Sequence, residues 1–217
     1  MEDYTTIADM SGTIESGMLM RKVFNDFAIS NINMGVRSIK EKLDYIKDDS
    51  IRESLYENIS NIETKSRFIK EYADIGIVTA EWFLVTDAFN KAIINYRNDY
   101  DLTIKAEGVR LLGDYTFTRV FTHLVANAIE RGNFTKATVS YKVFQGNLIL
   151  VCEDDANGIP KEKKEKLFSE DITRDNLDFF IVGAIIRACR YSIEENGNPD
   201  KGARFEITVP PDRFEIL

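Results

Sequence analysis

Between Ile29 and Ile46 apolar side chains recur at Ile29, Ile32, Val36, Ile39, Leu43 and Ile46, in alternating steps of three and four residues. Such steps place all six on one stripe of an α-helix, and the stripe is the seam of a helical bundle. Asp48, Asp49 and Ser50 interrupt it, and Ser50 with Glu53 forms a capping-box pattern that predicts the start of a second helix. That helix carries its own seam at Leu55, Ile59, Ile62 and Ile69. Two helices joined by so short a turn fold back antiparallel and leave an apolar face uncovered. A second copy of the chain, completing a four-helix bundle, is the expected cover. Packing against the rest of the same chain is the alternative.

After Gly76 the pattern changes. Trp82 to Tyr96 reads as helix, and Leu102 to Leu112 as a short β excursion ending at Gly113-Asp114. Apolar residues at Phe117, Val120, Phe121, Leu124, Val125 and Ile129 define a helix face within Thr116 to Arg131. Ala137 to Tyr141 and Leu148 to Cys152 read as adjacent strands around a Gln145-Gly146-Asn147 turn. A Lys/Glu-rich helix is expected after Pro160, and another over Phe179 to Cys189. Tyr191 to Glu194 and Arg204 to Val209 then read as closing strands. Helices alternating with hairpins predict an α+β chain: a two-helix hairpin followed by an α/β sandwich with helices on one sheet face.

The 217 residues suffice for one large domain or two small ones, and 44% hydrophobic with 29% charged residues is ordinary for a globular chain. A net charge of -8 argues against the broad basic surface of a nucleic-acid binder. No apolar run approaches the roughly 20 residues of a membrane span, and the acidic MEDYTTIADM start lacks the apolar core of a signal peptide. Cys152 and Cys189 show neither CxxC nor zinc spacing, so reduced, buried thiols in a cytoplasmic protein are the expectation.

Three segments of the second region carry specific chemistry. They are Phe121-Thr-His-Leu-Val-Ala-Asn127-Ala-Ile129-Glu-Arg-Gly132, Val151-Cys-Glu-Asp154-Asp155-Ala156-Asn157-Gly158-Ile159-Pro160 and Pro199-Asp-Lys-Gly202-Ala-Arg-Phe205-Glu-Ile-Thr-Val-Pro210. In this order and spacing they resemble the N box, the first glycine box and the final strand of sensor histidine kinases, part of the superfamily that includes gyrase, Hsp90 and MutL ATPases. The hairpin stands where those kinases have their dimerisation and phosphotransfer domain. The resemblance implies an N-terminal extension over 1–17, a dimerising hairpin over 18–75 and an ATP-binding domain over 76–217. It also implies site residues: Asn127 to hold the magnesium that bridges the ATP phosphates, Asp154 to accept a hydrogen bond from the adenine amino group, and Gly158 to let backbone approach the base. A capping amide at Asn127 and a strand-end turn residue at Asp154 are the plainer alternatives.

The resemblance also marks departures. Arg21-Lys-Val-Phe-Asn25-Asp26-Phe27 is similar to the phospho-acceptor box, with Asn25 where its histidine would stand. An amide has no nucleophilic nitrogen comparable to imidazole, so it forms no phosphoramidate; a polar residue fixing bundle register is the plainer role. The second glycine box, whose bare backbone cradles phosphates at a helix N-terminus, corresponds to Arg174-Asp-Asn176-Leu-Asp178-Phe-Phe180. Asn176 and Asp178 occupy its glycine positions, and no glycine occurs between Gly158 and Gly183. An acid ~4 Å from a phosphate repels by about 4 kcal/mol at an effective dielectric near 20, which predicts weak or lost binding of ATP and Mg2+. Ala156 replaces a further glycine. His123, the sole histidine, lies one turn before Asn127, where a role as base competes with a structural one. Lys161 to Lys166 reads as a solvated face.

The expected function is therefore a two-component-type pseudokinase that dimerises and binds a partner, either a response-regulator receiver domain or another kinase. A divergent ATP-dependent kinase or ATPase using Asn127 and Asp154, and a phosphotransferase-like relay protein, are the alternatives.

Overall fold

The computed structural model describes residues 3–169, 176–199 and 201–217, with side chains from Met20 onward. The chain divides into two compact units, residues 1–77 and 78–217.

The first unit is a helical hairpin of α1 (Asp3–Leu43) and α2 (Asp49–Ala73). Asp48 caps α2 by accepting a hydrogen bond from Ile51 N at 3.1 Å. The helix thus starts two residues before the Ser50 capping box expected from sequence, because the earlier acid reaches an unpaired first-turn N–H. Val36, Leu43 and Ile59 are buried between the helices, with Ile46 and Leu55 packed against them. Lys40 and Glu63 form an ion pair at 2.8 Å across the pair, and Lys22 is paired with Asp74. The other half of the seam stays open: Ile32, Ile39, Ile62 and Ile69 are each 41–46% exposed. Asn25 is half-buried on α1.

The second unit begins with β1 (Glu81–Leu84), where the sequence predicted helix. Pairing decides the difference. Glu81 to Leu84 lie antiparallel to Arg110–Gly113 of β3 (Val109–Gly113), and the Arg110 guanidinium sits over the Trp82 ring at 5.4 Å. Cross-strand partners of this kind outweigh local helix preference in a short aromatic run. Helix α3 (Val85–Ala92) follows. Strand β8 (Phe214–Ile216) completes a three-stranded sheet of order β1-β3-β8.

The larger sheet has the order β2-β4-β5-β7-β6, from β2 (Asp101–Lys105), β4 (Lys136–Phe144), β5 (Asn147–Asp154), β6 (Ser192–Glu195) and β7 (Arg204–Val209). Its neighbours are antiparallel except β2 and β4, which run parallel. A parallel pair needs a crossover, and the connection contains α4 (Thr118–Arg131), led in by a 3-10 turn capped by Asp114. The β4–β5 hairpin turns on Gln145 and Gly146, with φ of 51° and 81°, the double left-handed geometry of a tight two-residue loop. The Lys/Glu-rich segment after Pro160 is a single turn, α5 (Lys161–Lys164), and α6 spans Leu177–Ala188.

The core lies between the helices and one sheet face. Leu148, Leu150 and Cys152 of β5 alternate inward with Phe205, Ile207 and Val209 of β7, the period of two that a half-buried strand requires. Phe89 of α3 meets Phe121 of α4 edge-on at 5.4 Å, and Phe179 of α6 packs on Phe205 at 5.8 Å. Cys152 and Cys189 are both free and buried.

Asp155 fastens the start of β4. Burial opposes its charge, but hydrogen bonds from the Thr135 hydroxyl and the Thr135 and Lys136 N–H groups hold its carboxyl below the ordinary range. A depressed folded pKa stabilises above the unfolded value of 3.8 and is lost as pH falls through the folded one. Asp155→Ala should therefore melt below wild type at neutral pH, with the gap closing in acid; a gap independent of pH contradicts this.

Candidate functional site

The C-terminal end of α4 and the loop after β5 face each other. Arg131 donates from Nη2 to Asp154 Oδ2 at 2.6 Å, from Nη1 to the Asn157 carbonyl at 2.7 Å, and from Nε to the Asn127 carbonyl at 3.4 Å. Asn157 returns two bonds, from Nδ2 to the Arg131 carbonyl at 2.5 Å and from its backbone N–H to the Gly132 carbonyl at 3.1 Å. The Arg131 and Asp154 side chains are 15% and 6% exposed, so this is a part-buried ion pair.

Asp154 accepts three hydrogen bonds. Its Oδ1 accepts from Ala156 N and Ala203 N, each at 3.1 Å, which uses both lone pairs of that oxygen. Oδ2, the oxygen left for a ligand, holds the guanidinium. The closing segment packs on the same loop: Asp154 N donates to the Ala203 carbonyl at 3.0 Å, and a Cβ on Gly202 would meet Asp154 O at 1.9 Å. Gly158 donates its N–H to the Pro199 carbonyl at 3.0 Å, and a Cβ on it would lie 2.4 Å from that oxygen. The close approach this glycine permits is therefore to the chain's own backbone.

Asn127 sits on α4 one turn before Arg131, and its Oδ1 is enclosed without a hydrogen-bond partner. One turn earlier, His123 Nδ1 lies 2.8 Å from Asp178 Oδ1 in the first turn of α6. Asp178 is thus paired, not simply a bare charge at the helix start. Asn176 precedes that helix with φ −124° and ψ 14° and makes no side-chain cap. Arg174 and Asp175 lie outside the described residues. Asn25 belongs to the helical hairpin.

A cavity of about 20 Å³ behind Asp154 is lined by Phe121, Leu124, Ala128, Val139, Cys152 and Phe205. That is room for about one water and none for a purine. Burial, with Glu153 and Asp154 adding to it, pushes the Cys152 thiol up to about 12, so it stays protonated and unreactive.

Residues 114–213 match the family described as Histidine kinase-, DNA gyrase B-, and HSP90-like ATPase. Over those residues the chain resembles a domain of that family. No curated protein sequence matches the chain. Among solved structures, the catalytic domain of histidine kinase ThkA is 22% identical with a TM-score of 0.52, over 62% of this chain and 98% of its own. Acinetobacter baumannii histidine kinase AdeS is 19% identical with a TM-score of 0.58, over 87% of this chain and 95% of its own. Full-length ShkA, solved with AMPPNP, is 14% identical with a TM-score of 0.60, over 91% of this chain and 46% of its own. At these identities the likeness is one of fold. Among the described residues no helix is long and apolar enough to cross a membrane.

Domains of this ATPase family bind ATP with magnesium, and the two parts of that ligand fare differently here. The unpartnered Asn127 amide oxygen is a hard donor of the kind magnesium takes. Among the described residues, however, no cluster of three or more His, Cys, Asp or Glu side chains supports a metal ion. The adenine side does not fit: Arg131 occupies Asp154, and Pro199 covers Gly158.

Sequence reading missed Arg131, although its spacing of four from Asn127 and eight from His123 puts all three on one helix face. Arg131→Met takes one of three partners from a carboxylate that is 6% exposed, so it should lower the urea midpoint. Arg131→Met with Asp154→Asn should cost less than the two single changes summed. Strict additivity would show that the pair is not coupled.

Proposed function

We propose that the chain is a two-component-type signalling protein that works without phosphoryl transfer, dimerising through its hairpin and presenting its ATPase-fold unit to a partner. The observation that carries this reading is chemical: the only histidine of the chain is His123, and the hairpin has none. Asn25, at the position expected for the phospho-acceptor, is an amide and a poor nucleophile. The engaged Asp154 points the same way.

The open half of the hairpin seam supports dimerisation over residues 18–75. Ile32 and Ile39 on α1, with Ile62 and Ile69 on α2, are left about four-tenths exposed at heptad spacing. A second hairpin covering them completes two layers of a bundle that one copy leaves half built. A response-regulator receiver domain or a histidine kinase is the partner class that suits such a dimer, since the family's own signalling runs between these proteins.

The enclosed Asn127 oxygen favours a second reading, a divergent ATP-binding kinase or ATPase. It predicts magnesium-dependent nucleotide binding that Asn127→Ala abolishes.

Incubation of the purified protein with radiolabelled ATP and magnesium should leave it unlabelled; label retained on the protein contradicts the proposal. Light scattering should give twice the 24.9 kDa chain mass, and Ile39→Lys with Ile62→Lys should give a folded monomer. A monomeric wild type contradicts the dimer.

A further inference from the structure

Three side chains rise along one face of α4: His123, Asn127 and Arg131, spaced by four residues. Over that stretch the helix climbs about 12 Å, close to the reach of an extended nucleoside diphosphate from base to terminal phosphate. Each end of the row is fastened to a different element. Arg131 binds Asp154 at the end of β5, and His123 binds Asp178 in the first turn of α6. In the middle, the Asn127 side-chain oxygen is enclosed and unpartnered.

The two fastening points are those by which the resemblance has a nucleotide held: an aspartate after the strand for the base, and the start of the next helix for the phosphates. The groups found there match the missing ligand in kind. At the base end an N–H of the guanidinium meets the carboxylate that would take an exocyclic amino N–H. At the phosphate end a carboxylate anion meets a side chain of α4.

We infer that Arg131 and Asp178 are internal replacements for the two ends of the nucleotide, fastening α4 to β5 and α6 so that the unit is closed from within and needs no ligand. The inference rests on the pseudokinase reading and deepens it. It accounts for both departures at once. Without a ligand or Arg131, Oδ2 of the Asp154 carboxylate would have no donor, at a cost in stability. Here Asp154 gains a permanent partner, and the α6 acid gains His123. The surrounding backbone agrees, since Pro199 fills the approach to Gly158 and the cavity behind Asp154 admits one water.

The test is an ADP titration of the full chain by calorimetry, with magnesium present. Wild type should give no binding heat at millimolar ADP. Arg131→Met, which keeps length and removes the donor, should gain at least about tenfold in ADP affinity, and adding Asp178→Asn should gain more. Arg131→Lys, which keeps a charged donor, should stay closed to ADP. Wild type binding ADP at micromolar concentration, or a folded Arg131→Met that gains nothing, would overturn the inference. Hydrogen exchange on wild type guards against variants that fail to fold. Protection of peptides covering 123–131 and 154–158 should be the same with and without ADP, and added protection would overturn the inference. Binding is read here without phosphoryl transfer. An ADP-binding wild type that takes up no label therefore sinks the internal replacement and leaves the pseudokinase standing.

Discussion

The ion pair between Arg131 and Asp154 ties the last turn of α4 to the end of β5. A carboxylate only 6% exposed is tolerable only with partners. In this chain all of them are internal: two backbone N–H groups from the loops on either side, and one guanidinium from the last turn of α4. From that arrangement follow the seating of Gly202 and Ala203 against Asp154 and the tie between Asn157 and the α4 end. Pro199 closes over Gly158 in the same region. The fold is that of histidine kinase ATPase domains, and the Asp154 oxygen Oδ2 holds the Arg131 guanidinium.

The core and the candidate site draw on different residues. The core is built from alternating apolar positions of β5 and β7 under three helices, with Phe121, Phe179 and Phe205 locking helix to sheet. None of these needs a nucleotide. The candidate site instead depends on a few loop and helix-end positions whose buried polar groups pair with one another. The same separation holds in the helical hairpin, where Val36, Leu43 and Ile59 pack whatever residue stands at position 25.

Much of this was legible in the sequence, for identifiable reasons. The hairpin followed from two seams of period 3.5, and the β4–β5 hairpin from an alternating pattern around a glycine turn. The ordered boxes pointed to the segments that face each other at the end of α4 and the loop after β5. Local patterns failed where tertiary pairing decided. Trp82 to Leu84 form a strand because Arg110 to Gly113 lie beside them, and Asp48 rather than Ser50 caps α2 because its carboxylate reaches Ile51 N. The role of Arg131 was invisible for a related reason. Its spacing places it beside Asn127, but nothing in the sequence says that its guanidinium crosses to a residue 23 positions later. Asp178 was read as a free charge for want of the same knowledge about His123.

A crystal structure of the full chain grown with millimolar ADP and magnesium is the decisive measurement. Arg131 should still be bonded to Asp154, with Pro199 over Gly158 and no base density between α4 and the β5 loop. Adenine seated with its amino group on Asp154 and the Arg131 side chain swung away would contradict that expectation.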